Sequence, residues 1–272
     1  MSLSLRDDLN RLLTLTDPAR RIVSLSPAAT ENLFAVGAGR LVVGITAADT
    51  YPPEALKLPR VGDFGTPRYE TLRALKPDLI IAESGTLRAD ALRNIADRAG
   101  APVFAQVSAR YADIERHLRQ LATLAGSGKG PNRHIVSLRF AESEARRVAR
   151  GKKPVSTFLE VSRSPLYAAG VGSFLDDVLR LAGGVNVIRT PNPYPMVSRE
   201  TLLLADPQVY ITTVSGATEQ IRPGDPLPSP LNHIRAAKTN RVYALPIDLL
   251  FRPTPRLARG LLLLSRALHG GI

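Results

Sequence analysis

Two periods of apolar residues alternate along this chain. Arg21 to Leu25 (RIVSL) is an apolar run of strand length, and Ser26-Pro27 supplies the cap and first-turn proline of a helix predicted to reach about Val36. Gly37 and Gly39 stop that helix, and Leu41 to Ile45 returns to a strand pattern. Tyr69 to Ala82 reads as a helix, a Pro-bounded turn and a buried strand; Ala89 to Ala99 reads as a helix and Pro102 to Gln106 as a strand. Strands that alternate with helices pair in parallel.

From Tyr111 the strand signal disappears. Ile114, Leu118, Leu121 and Ala125 recur at helical spacing, Gly126 to Gly130 interrupts, and Ile135, Leu138, Ala145 and Val148 resume the stripe. A helix from about Pro131 to Arg150 would extend roughly 30 Å, the breadth of a small domain. Alternation returns at Val155 to Val161, followed by a helix near Phe174 to Ala182, a strand at Arg241 to Leu245 and a last helix from Pro255 to Leu268. The segments YETLRALKPDLII (Tyr69 to Ile81) and RETLLLADPQVYI (Arg199 to Ile211) share Glu, Thr, Leu, Pro and the closing Ile without a gap. The pattern therefore predicts an α/β protein with two Rossmann-like lobes of mostly parallel strands joined by one long connector helix. Its expected parts are an N-terminal segment 1–19, a first lobe 20–110, connector helices 111–152 and a second lobe 153–272. Two lobes imply a cleft, where small ligands usually sit.

Composition removes several function classes. The 272 residues include no Cys, which excludes thiol catalysis, thiolate metal sites and disulfides. The net charge of +12 is spread along the chain and carried mainly by arginine. Its densest cluster, Arg146, Arg147, Arg150, Lys152 and Lys153, shares its segment with Glu142 and Glu144, closes a helix and reads as a solvated helix face. With no Trp and no nucleic-acid motif, a polynucleotide partner is not expected, whereas an anionic small ligand agrees with the charge. No apolar run approaches the roughly 20 residues that span a bilayer, and no secretory leader pattern is present.

Catalytic signatures are missing as well: no dinucleotide turn, nucleophile elbow or His-Glu-x-x-His helix, and Gly126 to Gly130 lacks phosphate-loop spacing. His117, His134, His233 and His269 lie on separate elements in polar surroundings and read as surface residues, so no metal site is expected. What remains are loops at the carboxyl ends of strands, where open parallel sheets bind ligands. In the first lobe these hold Ser26, Pro27, Asp49 to Tyr51, Asp63, Phe64 and Ser84. In the second they hold Ser162-Arg163, Tyr167 to Phe174, Asn192 to Met196, Ser215-Gly216 and Asp248 to Arg252.

RIVSLSPAATENLFAVGAG, LVVGIT, the Asp-x-Tyr-Pro loop, LPRVGDFG and the Glu-x-Leu-x-x-Leu-x-Pro-Asp-Leu-Ile-Ile element resemble, in order and spacing, the helix-linked substrate-binding proteins of ABC importers. LEVSRSPLYAAGVGSFLDDVLRLAGGVNV and RVYALPIDLLFRP extend the resemblance over roughly residues 20 to 268. It implies a non-catalytic receptor, periplasmic or extracellular at the membrane surface. Such a receptor captures a ferric siderophore, haem or vitamin B12 and hands it to a permease dimer with its ATPase. It implies no cofactor beyond the Fe(III) or Co of the ligand, and membrane contact only through the permease or a removed lipid anchor. It also implies a leader, which is expected to be missing from this chain. The matching ligand loops hold Ser26, Pro27, Tyr51, Asp63, Phe64, Ser84, Arg163, Tyr167, Phe174, Tyr194, Asp248 and Arg252; Arg163 and Arg252 supply positive charge, Tyr51 and Phe64 cover the ligand. Glu70 and Glu200 fall where the family's glutamates meet arginines of the permease. A ferric chelate and a corrinoid both stay open. The rival from another class is an α/β enzyme acting on a polar metabolite in the cleft.

Overall fold

The structure, a computed structural model, describes residues 2–63, 66–83, 88–127, 131–214 and 222–270. The chain divides into two compact units, Met1–Ser108 with Ala112–Ile135, and Ala109–Tyr111 with Val136–Ile272.

The first unit opens with a hairpin, β1 (Leu3–Arg6) and β2 (Leu12–Leu15), where the sequence pattern alone predicts no structure. Its strands then run β3 (Ile22–Ser24), β4 (Val42–Gly44), the short pair β5 (Gly62–Asp63) and β6 (Thr66–Pro67), β7 (Leu79–Glu83) and β8 (Val103–Gln106). The order β4-β3-β7-β8 is parallel throughout. Parallel strands are covered on both faces, which is why Ile22, Val23, Ile80 and Ile81 form continuous apolar runs and are completely buried. The covering helices are α1 (Pro27–Ala35), α2 (Tyr69–Leu75), α3 (Ala89–Ala99) and α4 (Asp113–Leu124). Leu72, Leu92 and Ile95 of α2 and α3 pack with Val23, Val61 and Ile80 in one core cluster.

Helix α5 (Asn132–Ala149) carries the chain from the first unit into the second; its 18 residues contain neither Gly nor Pro. The second unit contains β9 (Val155–Arg163), β10 (Leu166–Ala168), α6 (Phe174–Leu181), β11 (Gly184–Asn186), α7 (Arg199–Ala205) and β12 (Val209–Val214). It continues with β13 (Arg222–Pro223), α8 (Arg235–Lys238), β14 (Val242–Pro246), α9 (Ile247–Leu250) and α10 (Leu257–His269). Strands β11, β9, β12 and β14 pair in parallel, with β10 and β13 antiparallel at the margins. The mostly parallel α/β architecture expected from the periodicity is present in both units.

The internal repeat holds at the level of the backbone. Helices α2 and α7 have 7 residues each, and each ends on a left-handed residue, Lys76 at φ 46° and Asp206 at φ 36°. Pro77 and Pro207 follow, and each chain then enters a central strand, β7 or β12. Arg146 and Arg147 of the basic cluster lie on the solvated helix face that was expected, Arg146 reaching Glu142 at 2.9 Å and Arg147 reaching Glu144 at 2.6 Å, while Arg150, Lys152 and Lys153 follow the helix end.

Candidate functional site

In the second unit β9 and β12 pair in parallel up to Leu159 and Ile211, and the next residues, Glu160 and Thr212, meet through their side chains. Glu160 is buried, yet its carboxylate is fully partnered. Tyr210 Oη donates to Oε2, Thr212 Oγ1 donates to Oε1 at 2.9 Å, and Arg163 Nε lies 3.2 Å from both oxygens. Arg163 Nη2 also donates to Thr212 Oγ1 at 3.2 Å. Burial, together with the neighbouring Glu160 charge, pushes the Tyr210 phenol well above its ordinary range, so it stays a donor. Three residues beyond Glu160 the Arg163 side chain is 40% exposed, so a buried acid holds a cation that faces solvent.

The same edge gathers most of the expected residues of this unit. Asp248 stands at the start of α9, directly after β14, and pairs with Arg252 at 3.0 Å. Tyr167, on β10, forms an isolated bridge with Met196, and Tyr194 follows an Asn192 turn; both tyrosines are exposed. Phe174, expected to face ligand, is instead buried. It occupies the first turn of α6 on the same stripe as Val178 and Leu179, so its ring completes the core. Ser215 and Gly216 lie outside the described residues.

In the first unit Ser26 is fully buried and committed to capping: its Oγ accepts from Ala29 N–H at 3.0 Å, with Pro27 in the first turn. Its hydroxyl thus organises the helix start rather than facing outward. Asp49 is likewise turned in, accepting from Thr46 N at 2.9 Å and Thr46 Oγ1 at 2.6 Å, while Tyr51 and Asp63 are exposed. Phe64 and Ser84 lie outside the described residues. The residue that sequence reasoning missed here is Glu83, the last of β7. Burial pushes its carboxyl up, against the field of His117.

His117 corrects the expectation of four surface histidines. It is buried on α4, with Nε2 2.7 Å from Asp8 Oδ2, and the signal lay in the N-terminal residues rather than near the histidine. Among the described residues no group of three or more His, Cys, Asp or Glu is arranged to hold a metal ion, and no helix is long and apolar enough to cross a membrane.

Two α/β units with their candidate residues on carboxyl-end loops give a specific comparison. Over residues 22–249 the sequence matches the family described as periplasmic binding protein. The chain belongs to the periplasmic binding protein family. Its relatives include the ABC transporter substrate-binding lipoprotein YvrC of Bacillus subtilis, 28% identical over 97% of this chain and 84% of that protein. The vitamin B12-binding protein of Vibrio cholerae is 30% identical over 90% of this chain and 87% of its own length. Among solved structures, the Vibrio cholerae vitamin B12 binding protein BtuF superposes with a TM-score of 0.79 at 28% identity, covering 92% of this chain and 97% of that one. A periplasmic haem binding protein from Pseudomonas aeruginosa reaches a TM-score of 0.75 at 22% identity over 92% and 93%, which shows the shared fold. These relatives of the periplasmic binding protein are transport receptors rather than enzymes.

Proposed function

We propose that this periplasmic binding protein captures a corrinoid of the vitamin B12 type outside the cytoplasm and delivers it to the permease and ATPase of an ABC importer. The observation that carries the choice of ligand is the pairing of both expected cations. Arg163 is bound to Glu160 and Arg252 to Asp248. An anionic ferric chelate brought to either arginine meets a carboxylate beside it, a repulsion on the order of 1–4 kcal/mol at contact distance in partly wet surroundings. A neutral primary amide offers a carbonyl oxygen to either guanidinium and, beside Arg252, N–H groups to the part-exposed Asp248 carboxylate, and a corrinoid is rimmed by such amides. The likeness to the vitamin B12-binding protein of Vibrio cholerae supports the same choice. The net charge of +12 acts at long range and is screened within about 10 Å at ordinary salt, so it does not select between them.

In this reading the second unit offers Arg163, Tyr167, Tyr194, Asp248 and Arg252 to the ligand. In the first unit, taken by itself, Tyr51 and Asp63 are the exposed candidates, and Ser26 and Pro27 fix the start of α1. Calorimetric titration with cyanocobalamin, haemin and a ferric catecholate siderophore tests the proposal. Cyanocobalamin is expected to bind at micromolar concentration or tighter, with little salt dependence. Tight haemin or siderophore binding that weakens steeply with salt, without cyanocobalamin binding, would overturn it.

A further inference from the structure

We infer that Glu160 is a positioning residue for ligand recognition, acting through Arg163 to fix the direction in which that guanidinium meets the ligand. The identity of the ligand rests on the corrinoid reading above. The coupling rests on the geometry of the second unit alone.

Glu160 breaks the pattern of its own strand. Its neighbours on the same face are Phe158 on β9 and Tyr210 on β12, whose rings meet at 4.9 Å within an apolar cluster that includes Leu202 and Ile234. A carboxylate in that face is costly unless every oxygen is bonded, and an apolar residue would serve the core better. A residue that violates the local rule and is then fully satisfied marks a functional constraint.

The way it is satisfied shows what the constraint is. Tyr210 and Thr212 hold the carboxylate from within the sheet, leaving its outer side to Arg163 Nε. Thr212 closes the ring by donating to Glu160 and accepting from Arg163 Nη2. An arginine held by one exposed carboxylate samples many rotamers, and such pairs contribute little. Here Nε and Nη2 are both engaged on one edge by groups anchored in a central sheet. The guanidinium plane is fixed, and its Nη1 has no hydrogen-bond partner among the described residues. That free edge projects from the end of β9, where an acceptor on the ligand completes it. Glu160 therefore never touches ligand; it removes the rotameric freedom that Arg163 would otherwise lose on binding.

The test is a double-mutant cycle read by calorimetry with cyanocobalamin and, in parallel, haemin. Arg163→Ala and Glu160→Gln should each weaken cyanocobalamin about tenfold, and the double variant should bind no more weakly than Arg163→Ala alone. Arg163→Lys should lose as much as Arg163→Ala, because an ammonium has no planar edge for Glu160 to hold. Thr212→Val, which leaves no buried charge unpaired, gives a second route should Glu160→Gln unfold early. It should weaken binding in the wild-type background and change nothing beside Arg163→Ala. Additive losses from Glu160 and Arg163, or full affinity in Arg163→Lys, would overturn the assignment. A wild-type chain that binds haemin and ignores cyanocobalamin would sink the corrinoid reading only; the same non-additivity is then expected with haemin. Binding of neither probe would overturn both.

Discussion

Asp8 and Glu83, two acids of the first unit, are driven in opposite directions by their surroundings. For Asp8 burial alone would raise the pKa, but hydrogen bonds from His117, Arg116 and the Val107 N–H overcome it and hold the carboxyl well below the ordinary range. A lowered folded pKa contributes stability that is present above about pH 4 and lost as pH falls through the folded value. Asp8→Asn should therefore cost about 2 kcal/mol at neutral pH, the scale of hydrogen bonds to a charge. In urea titrations the gap to wild type should close as pH drops below about 4. Glu83 has the opposite sign, raised chiefly by burial. Its ionisation opposes folding, so Glu83→Gln should gain about 1 kcal/mol at neutral pH, and the gain should vanish under acid. A gain that persisted at low pH would show that Glu83 is not the titrating group. Neither acid was legible from the chain. The partner that buries His117 lies 109 residues away in a stretch whose polar pattern predicts no element, and spacing carries no information about such pairs. Glu160 and Phe174 differ. An acid inside the run VSTFLEV, and an aromatic four residues before Val178 on a helix, were signals present in the sequence.

Elements with a full period were readable, and those without one were not. The α1 start was legible because Ser26 and Pro27 each have one physical use there. Strands β10, β11 and β13 have 3, 3 and 2 residues, too few to display alternation, and they exist because a neighbouring strand offers free backbone groups. The approach of α9 to α10 is another feature that only the fold reveals. A Cβ on Gly260 would lie 1.9 Å from the Leu249 carbonyl oxygen, so glycine is required for α9 to sit against α10. Because Asp248 is on α9 and Arg252 follows it, this contact aims their ion pair. Gly260→Ala should push α9 outward at a cost of about 2–3 kcal/mol and weaken ligand binding beyond that of a surface control. Denaturant melts together with calorimetry check both parts. Unchanged affinity in a destabilised variant would separate the α9 contact from the site.

At the scale of the whole molecule, the alternation of strand and helix and the repeated helix-turn-strand were enough to expect two α/β units, and the chain divides into two such units. The corrinoid proposal was not legible, because it rests on which arginines are already paired, and pairing is a property of the folded chain. We propose that the repeated glutamates dock the protein on its permease. Glu70 and Glu200 are each the second residue of a 7-residue helix, one in each unit, and both are exposed. The Glu200 carboxyl is drawn down by its own backbone N–H and by Ser198, which keeps it ionised and available at the helix start. Helix capping would explain an acid at either position, but capping does not require the same acid in both copies. Equivalent carboxylates on duplicated units suit a partner that is itself built from two copies, as a permease dimer is. Exposed ion pairs contribute roughly 0–1 kcal/mol each, so their value lies in orientation and encounter. Glu70→Ala combined with Glu200→Ala should leave the melting temperature and cyanocobalamin affinity nearly unchanged while abolishing stimulation of the ATPase in the reconstituted importer. Each single variant should retain part of the stimulation. Full stimulation by the double variant, or a large fall in its melting temperature, would reduce both glutamates to helix caps.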